Sequence, residues 1–163
     1  YKSAGHNSAF IRQNGTWLLV YHTRFSGGES HEVRIHPMIQ NEENWPVTLP
    51  FEYHSDDYTK IKIEENQVVG TYEFINHGTD NAKEVIPTQS IQLNNDHSIR
   101  GDVTGTWQKN DDSYLTIKIN EHTYKGVITK QLNEENNPQE KIVFSAIGDN
   151  NESIWGVKRE EIK

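Results

Sequence analysis

The sequence predicts an all-β protein, and three observations carry that prediction. The apolar residues are dominated by types that suit a pleated, half-buried surface, with 16 Ile and 10 Val against 6 Leu and 4 Ala, and 16 aromatics in 163 residues. Short runs of alternating polarity recur along the chain between breaks rich in Asn, Asp and Gly. No stretch shows a convincing helical period. The hydrophobic content of 33% and the mean hydropathy of −0.86 are low enough for a disordered chain. The concentration of that content in β-branched and aromatic residues argues for a folded one.

The first element is a hairpin. Ser8 to Arg12 and Thr16 to Phe25 flank Gln13-Asn14-Gly15, and Asn-Gly between apolar runs is a strong turn signal because both residues tolerate positive φ. The second strand is apolar on both faces in its first half, which predicts burial from both sides, as in stacked sheets or a propeller blade. After Ser26-Gly27-Gly28-Glu29-Ser30, the run His31-Glu32-Val33-Arg34-Ile35-His36 places Val33 and Ile35 on one face, and Pro37 is expected to end or edge that strand. Asn41 to Tyr53, with Pro46 and Pro50, reads as a connector with apolar anchors, and a boundary is expected near His54 to Asp57.

Eight further strands are expected at Lys60–Ile63, Gln67–Ile75, Ser90–Leu93, His97–Trp107, Tyr114–Ile119, Thr123–Gln131, Lys141–Ile147 and Ser153–Lys158. Eight strands joined by short polar turns suit a small closed antiparallel barrel, because closure removes exposed edges.

Composition excludes several functions. With no cysteine, disulfides and Cys-ligated zinc or iron-sulfur sites are ruled out. Twenty-four acidic against 16 basic residues, with a pI near 5.4, leave no basic footprint for nucleic acid or for an anionic membrane surface. No run approaches a membrane span, and Tyr1-Lys2-Ser3-Ala4-Gly5 lacks signal-peptide character, so the chain is expected to be soluble and to begin inside a longer reading frame.

Among residue types that carry chemistry, the acidic pairs Asp56-Asp57, Asp111-Asp112 and Glu160-Glu161 fall beside turns or the terminus and read as solvated charge. Asn14-Gly15-Thr16 and Asn151-Glu152-Ser153 match the glycosylation sequon, a weak signal. Four of the eight histidines, His6, His22, His31 and His36, fall within the first 36 residues. Each taken alone reads as a hydrogen-bonded structural group, since both ring nitrogens satisfy easily in β structure, and spacing shows no convergence of metal ligands.

Four blocks go further: Gly5-His6-Asn7-Ser8-Ala9-Phe10; Gly15-Thr16-Trp17-Leu18-Leu19-Val20-Tyr21-His22-Thr23-Arg24-Phe25; His31 to His36; and Asn44-Trp45-Pro46-Val47 with Pro50-Phe51-Glu52-Tyr53. In that order they resemble the end of the catalytic domain of family-43 glycoside hydrolases, in particular the two-domain bacterial endo-1,5-α-L-arabinanases. Pro37, where a polar residue is usual, and Asn44, where Gly is common, depart from that pattern only in connectors.

The resemblance implies a fold and a function. Residues 1–54 would be the last blade segment of a five-bladed β-propeller, and residues 55–163 a C-terminal accessory β-barrel, a lipocalin-like meander. His6 would occupy the position whose imidazole holds a calcium ion, largely through waters; calcium's preference for oxygen would not suggest this. The protein would be a secreted, extracellular bacterial enzyme acting on the polysaccharide arabinan by inverting hydrolysis.

The resemblance also shows what is missing. Inverting hydrolysis needs an acid and a base carboxylate with room for water between them. No stretch here matches the family's catalytic motifs, so no catalytic residue is assigned and the chain alone is expected to be inactive. A propeller at roughly 40 residues per blade would consume the whole chain, so the remainder of the propeller is an expected partner. Trp17, Tyr21, Phe25 and Trp45 would be propeller core and domain interface.

Two alternatives stand beside this reading. The barrel could be a non-catalytic carbohydrate-binding module that stacks sugars on Trp107, Tyr114, Tyr124 or Trp155, residues that alternation otherwise places in a core. It could instead be a carrier with an apolar cavity, for which the N-terminal blade would have no use.

Overall fold

A computed structural model of the chain describes residues 2–24, 30–54, 61–79, 85–111 and 113–160. The stretch from Phe25 to Glu29, the acidic pair Asp56-Asp57, Lys60, Asp112 and Glu161 lie outside the described residues. The architecture is all-β, with a four-stranded antiparallel sheet and a closed eight-stranded antiparallel barrel. No helix among the described residues is long and apolar enough to cross a membrane.

The sheet runs in chain order through β1 (Lys2–Ile11), β2 (Trp17–Arg24), β3 (His31–Gln40) and β4 (Pro46–Thr48). Its first turn is built as the Asn-Gly signal requires, although only Gly15 takes positive φ (86°). Gly15 N–H donates to Arg12 O and Arg12 N–H to Thr16 O, each at 2.9 Å, so the turn closes with an αL glycine and a bulge rather than a two-residue loop.

Two expectations change here. Pro37 does not end β3, which runs on to Gln40. The Pro37 carbonyl accepts from Leu49 N–H at 2.9 Å on the β4 side. N–H and C=O of one strand residue point the same way, so the donor that proline lacks faces that side and β2 loses nothing. Nor is β2 buried on both faces: Leu18 and Thr23 are buried, while Trp17, Leu19, Val20 and Tyr21 are only half-buried.

The barrel closes in the order β10-β11-β12-β5-β6-β7-β8-β9. Its strands are β5 (Gly70–Asn76), β6 (Gln89–Leu93), β7 (Ser98–Gly101), β8 (Gly105–Asn110), β9 (Tyr114–Ile119), β10 (His122–Leu132), β11 (Glu140–Gly148) and β12 (Ser153–Lys158). The expected number of strands holds, but its make-up differs. The stretch His97–Trp107 is two strands, because Gly101 at φ 119° turns the chain so tightly that a Cβ there would lie 2.4 Å from Ser90 O. Residues 61–63 form no strand, and a single helical turn, α1 (Glu65–Val68), stands where Gln67 was expected to begin one. Its capping box closes as Gln67 Oε1 accepts from Glu64 N–H at 2.9 Å. Ile63 and Val68 carry this segment into the barrel interior by their side chains instead of by backbone pairing.

That interior is filled. Tyr72, Phe74, Trp107, Tyr124, Phe144 and ten aliphatic residues of the strands and of α1's flank pack in one cluster with Ala146. Gly156 lets the Phe144 ring lie against the β12 backbone, where a Cβ would sit 2.1 Å from a ring carbon. An eight-stranded barrel either fills with its own side chains or holds one small ligand, and here the side chains fill it, which argues against a carrier cavity.

The barrel's outer wall carries the sheet. Alternation along β10 and β11 sends Tyr124, Ile128, Phe144 and Ala146 inward and leaves Val127, Gln131 and Ser145 pointing out, yet these three are buried. Ile39, Val47 and Leu49 from the β3–β4 side cover Val127, with Tyr114 and Ile147 packed against the cluster. Polar groups fix the docking. The Gln131 amide donates to Phe51 O (3.0 Å) and accepts from Phe51 N–H (3.1 Å). Asn41 donates to Lys125 O at 3.0 Å, and the Lys125 ammonium pairs with Glu42 (3.3 Å) and Glu43 (2.5 Å).

Candidate functional site

The expected metal residue, His6, lies in β1 within the register shift between Gly5 and Ser8, at φ 50°. It is exposed, and its ring centroid lies 5.1 Å from that of His22, whose ring meets His31 edge-on at 4.6 Å. The hairpin register makes this row, because Gly5 pairs with His22 and Arg24 with His31. Arg24 Nε donates to His31 Nε2 at 3.0 Å. Desolvation first, and then the neighbouring His31, His6 and Arg24, hold His22 below the usual imidazole pKa.

Calcium takes six to eight oxygen ligands. Here the donors are imidazoles, and no group of three His, Cys, Asp or Glu among the described residues could hold a metal ion. The described residues therefore do not make a calcium site by themselves, and His6 could contribute at most one ligand.

A second feature opens between the sheet and the barrel wall, a cavity of about 470 Å³ lined by Leu19, Tyr21 and His36 from the sheet and by His77, Ser153 and Trp155 from the barrel. His36 is 2% exposed, and its ring stacks on Trp155 (6.0 Å, 14°) and tilts against Tyr21 (5.6 Å). His77 meets the other side of Trp155 edge-on at 4.3 Å. His36 Nδ1 lies 2.9 Å from Leu49 O. A carbonyl only accepts, so Nδ1 carries a proton. His36 Nε2, His77 Nε2 and Trp155 Nε1 are buried without a hydrogen-bond partner among the described residues. Burial holds His77 below its ordinary pKa and hence neutral. Among the described residues no carboxylate lines this cavity, so they do not supply the acid and base of a glycoside hydrolysis there.

The proposed sugar-stacking aromatics fare differently from one another. Trp107, 2% exposed, is core, with its indole N–H donating to Asn94 O at 3.0 Å. Tyr124 is core too, its hydroxyl 3.1 Å from Glu152. Burial removes both as platforms. Tyr114 packs under the docked sheet, and Trp155 faces the cavity. Of the motif aromatics, Trp17 and Tyr21 are half-buried in the sheet and Phe25 is outside the described residues, whereas Trp45, expected in a core or interface, is 61% exposed. The sequence did not point to His77 as a neighbour of Trp155. It follows β5 on the outward-facing side, a position that becomes legible only once closure puts β5 beside β12.

Comparison with known proteins gives this arrangement its family. The sequence is 37% identical over 163 residues to the extracellular endo-α-(1→5)-L-arabinanase 2 of Bacillus subtilis (strain 168), covering 97% of this chain and 34% of that protein. It is 38% identical over 167 residues to the extracellular endo-α-(1→5)-L-arabinanase of Thermotoga petrophila, covering 99% of this chain and 35% of that protein. Among solved structures, the glycoside hydrolase family 43 YxiA protein of Bacillus licheniformis superposes with a TM-score of 0.89 at 35% identity over 98% of this chain and 36% of its own. The chain thus spans about a third of the length of the curated relatives it matches. Residues 50–156 match the family described as GH43_C, C-terminal lipocalin-like domain. That match takes in the barrel except the last two residues of β12, and the chain belongs to this family of glycoside hydrolase family 43 C-terminal domains.

Proposed function

We propose that this chain is the C-terminal part of a secreted endo-1,5-α-L-arabinanase, in which β1–β4 serve as the last blade of a propeller and the barrel braces that blade from outside. One observation carries the reading. Similarity to the arabinanases covers 97% of the chain, and so extends through the sheet that precedes the matched domain at residue 50. The buried contacts of Gln131, Asn41 and Val127 support it physically, because they tie the sheet to the barrel as one body.

The two carboxylates of an inverting glycosidase would then come from outside these residues. Within the chain, His6 would offer one imidazole towards a calcium ion whose oxygen ligands come from elsewhere, a contribution that loss of calcium affinity in His6→Ala of the larger protein would reveal. The acidic balance suits a neutral polysaccharide, which needs no charge complementarity. Hydrolysis of debranched arabinan tests the reading. The chain alone should release no reducing ends, and robust turnover by it would overturn the proposal.

A further inference from the structure

The loop joining β3 to β4 presents Trp45 to solvent on a hydrogen-bonded frame. Asn41, buried, holds that frame. Its side-chain oxygen accepts from the N–H groups of Glu43 and Trp45, both at 3.0 Å. Its own N–H donates to Trp45 O at 2.8 Å, and its amide nitrogen anchors the loop on Lys125 O. Holding a large aromatic 61% exposed leaves apolar surface in water, a cost that a partner for the ring would remove.

Beside the ring is a cleft of about 420 Å³ between Trp45 and the rim where β10 begins and β11 ends. This volume lies in the roughly 300–1,000 Å³ range of small-ligand sites. Its opposite wall is pinned. Asp149 accepts from Thr123 N–H (3.1 Å) and lies 2.9 Å from His122 Nδ1, and Asp149 N–H donates to Thr123 O (3.0 Å). Those contacts hold the Asp149 carboxyl below its usual pKa. Lys125 is neutralised by Glu42 and Glu43. The charged groups at the cleft are thus committed to one another. What is left to meet a ligand is an indole face and the Asn151 amide, which lines the cleft and offers both a donor and an acceptor.

We infer that this cleft is a saccharide-binding subsite, in which Trp45 stacks on a sugar ring while Asn151 hydrogen-bonds its hydroxyls. An aromatic face with neutral dipoles and paired charges suits an uncharged polyhydroxylated ligand and disfavours an ion. The identity of that ligand as an arabinan chain rests on the function proposed above. The site lies between the β3–β4 loop of the sheet and the barrel's outer rim.

The test is titration of the chain with linear α-1,5-arabinohexaose at up to millimolar concentration, followed by tryptophan fluorescence and by heat, with wild type, Trp45→Ala and Asn151→Ala. Circular dichroism checks that the exposed-site variants fold. Binding that weakens roughly tenfold or more in Trp45→Ala, and measurably in Asn151→Ala, is the expected result. Binding that Trp45→Ala leaves unchanged, or no binding at all, overturns the subsite whatever the enzyme's activity on arabinan. Trp45-dependent binding of xylohexaose in place of the arabinan fragment upholds the cleft and overturns the arabinan reading. A Trp45-dependent dimer with no sugar binding shows the ring to be a self-association contact and overturns the inference.

Discussion

Replacing Gln131 probes the docking of sheet on barrel most sharply. The residue is 2% exposed and satisfies both backbone groups of Phe51. In Gln131→Leu, similar in size, the Phe51 N–H and C=O lose their partners. A buried polar group left unsatisfied costs about 1–3 kcal/mol. Phe51 is only half-buried, so water recovers part of that, and a total loss of about 2–4 kcal/mol follows for the two groups.

Gln131→Glu separates the two bonds, since the carboxylate still accepts from Phe51 N–H but turns an acceptor towards Phe51 O. That contact raises the carboxyl's folded pKa above its unfolded value of about 4.3. The sign follows directly: stability is fully present below the unfolded pKa, where the acid donates to Phe51 O, and is lost as pH rises through the raised folded value. Urea unfolding followed by tryptophan fluorescence at several pH values reads both effects. A Gln131→Leu variant as stable as wild type, or a Gln131→Glu variant that gains no stability relative to wild type on acidification, refutes the account of the interface.

Two further outcomes test the barrel and the cavity. Gly156→Ala places a methyl inside the Phe144 ring position and should destabilise the barrel by about 1–3 kcal/mol in the same unfolding assay, with Phe144→Leu in the same chain recovering part of the loss. His77, neutral in the fold because burial lowers its pKa, contributes stability that is present above its unfolded pKa near 6.5 and is lost as pH falls below it, where only the unfolded chain takes up the proton. Denaturation midpoints measured downward from pH 7 should therefore fall less steeply in His77→Gln than in wild type, and equal slopes count against a buried neutral imidazole.

Much of the barrel was legible because its strands alternate. In Lys141 to Ile147 and Tyr114 to Ile119 every second residue enters the core, and the Asn- and Asp-rich breaks fall at real turns. The errors have physical causes. At Gly101 the chain turns within a run whose alternation does not stop, so β7 and β8 read as one strand. Near Ile63 alternation correctly marked burial, but the residue is buried as a plug at α1 and has no ladder partner. Pro37 is tolerated because its missing donor faces the end of β4, beyond the Met38–Thr48 pair, and not β2.

The site was less legible, because it depends on which surfaces meet. Alternation did place Trp107 and Tyr124 inward. Nothing in Asn44-Trp45-Pro46 says that the loop stands free of the sheet, since that follows from Asn41 reaching across to β10, 84 residues away. The histidine row of His6, His22 and His31 is the opposite case, as two hairpin registers suffice to bring the rings together.

The central claim, that this chain belongs to an arabinan-degrading enzyme to which it brings structure and no catalytic carboxylate, is tested most directly by reducing-end release from debranched arabinan. The chain should be assayed alone and again joined in one reading frame to the first two-thirds of the Bacillus subtilis relative. The account predicts no turnover from the chain alone and turnover from the fusion. Turnover by the chain alone, or a folded fusion that leaves arabinan intact, would contradict it.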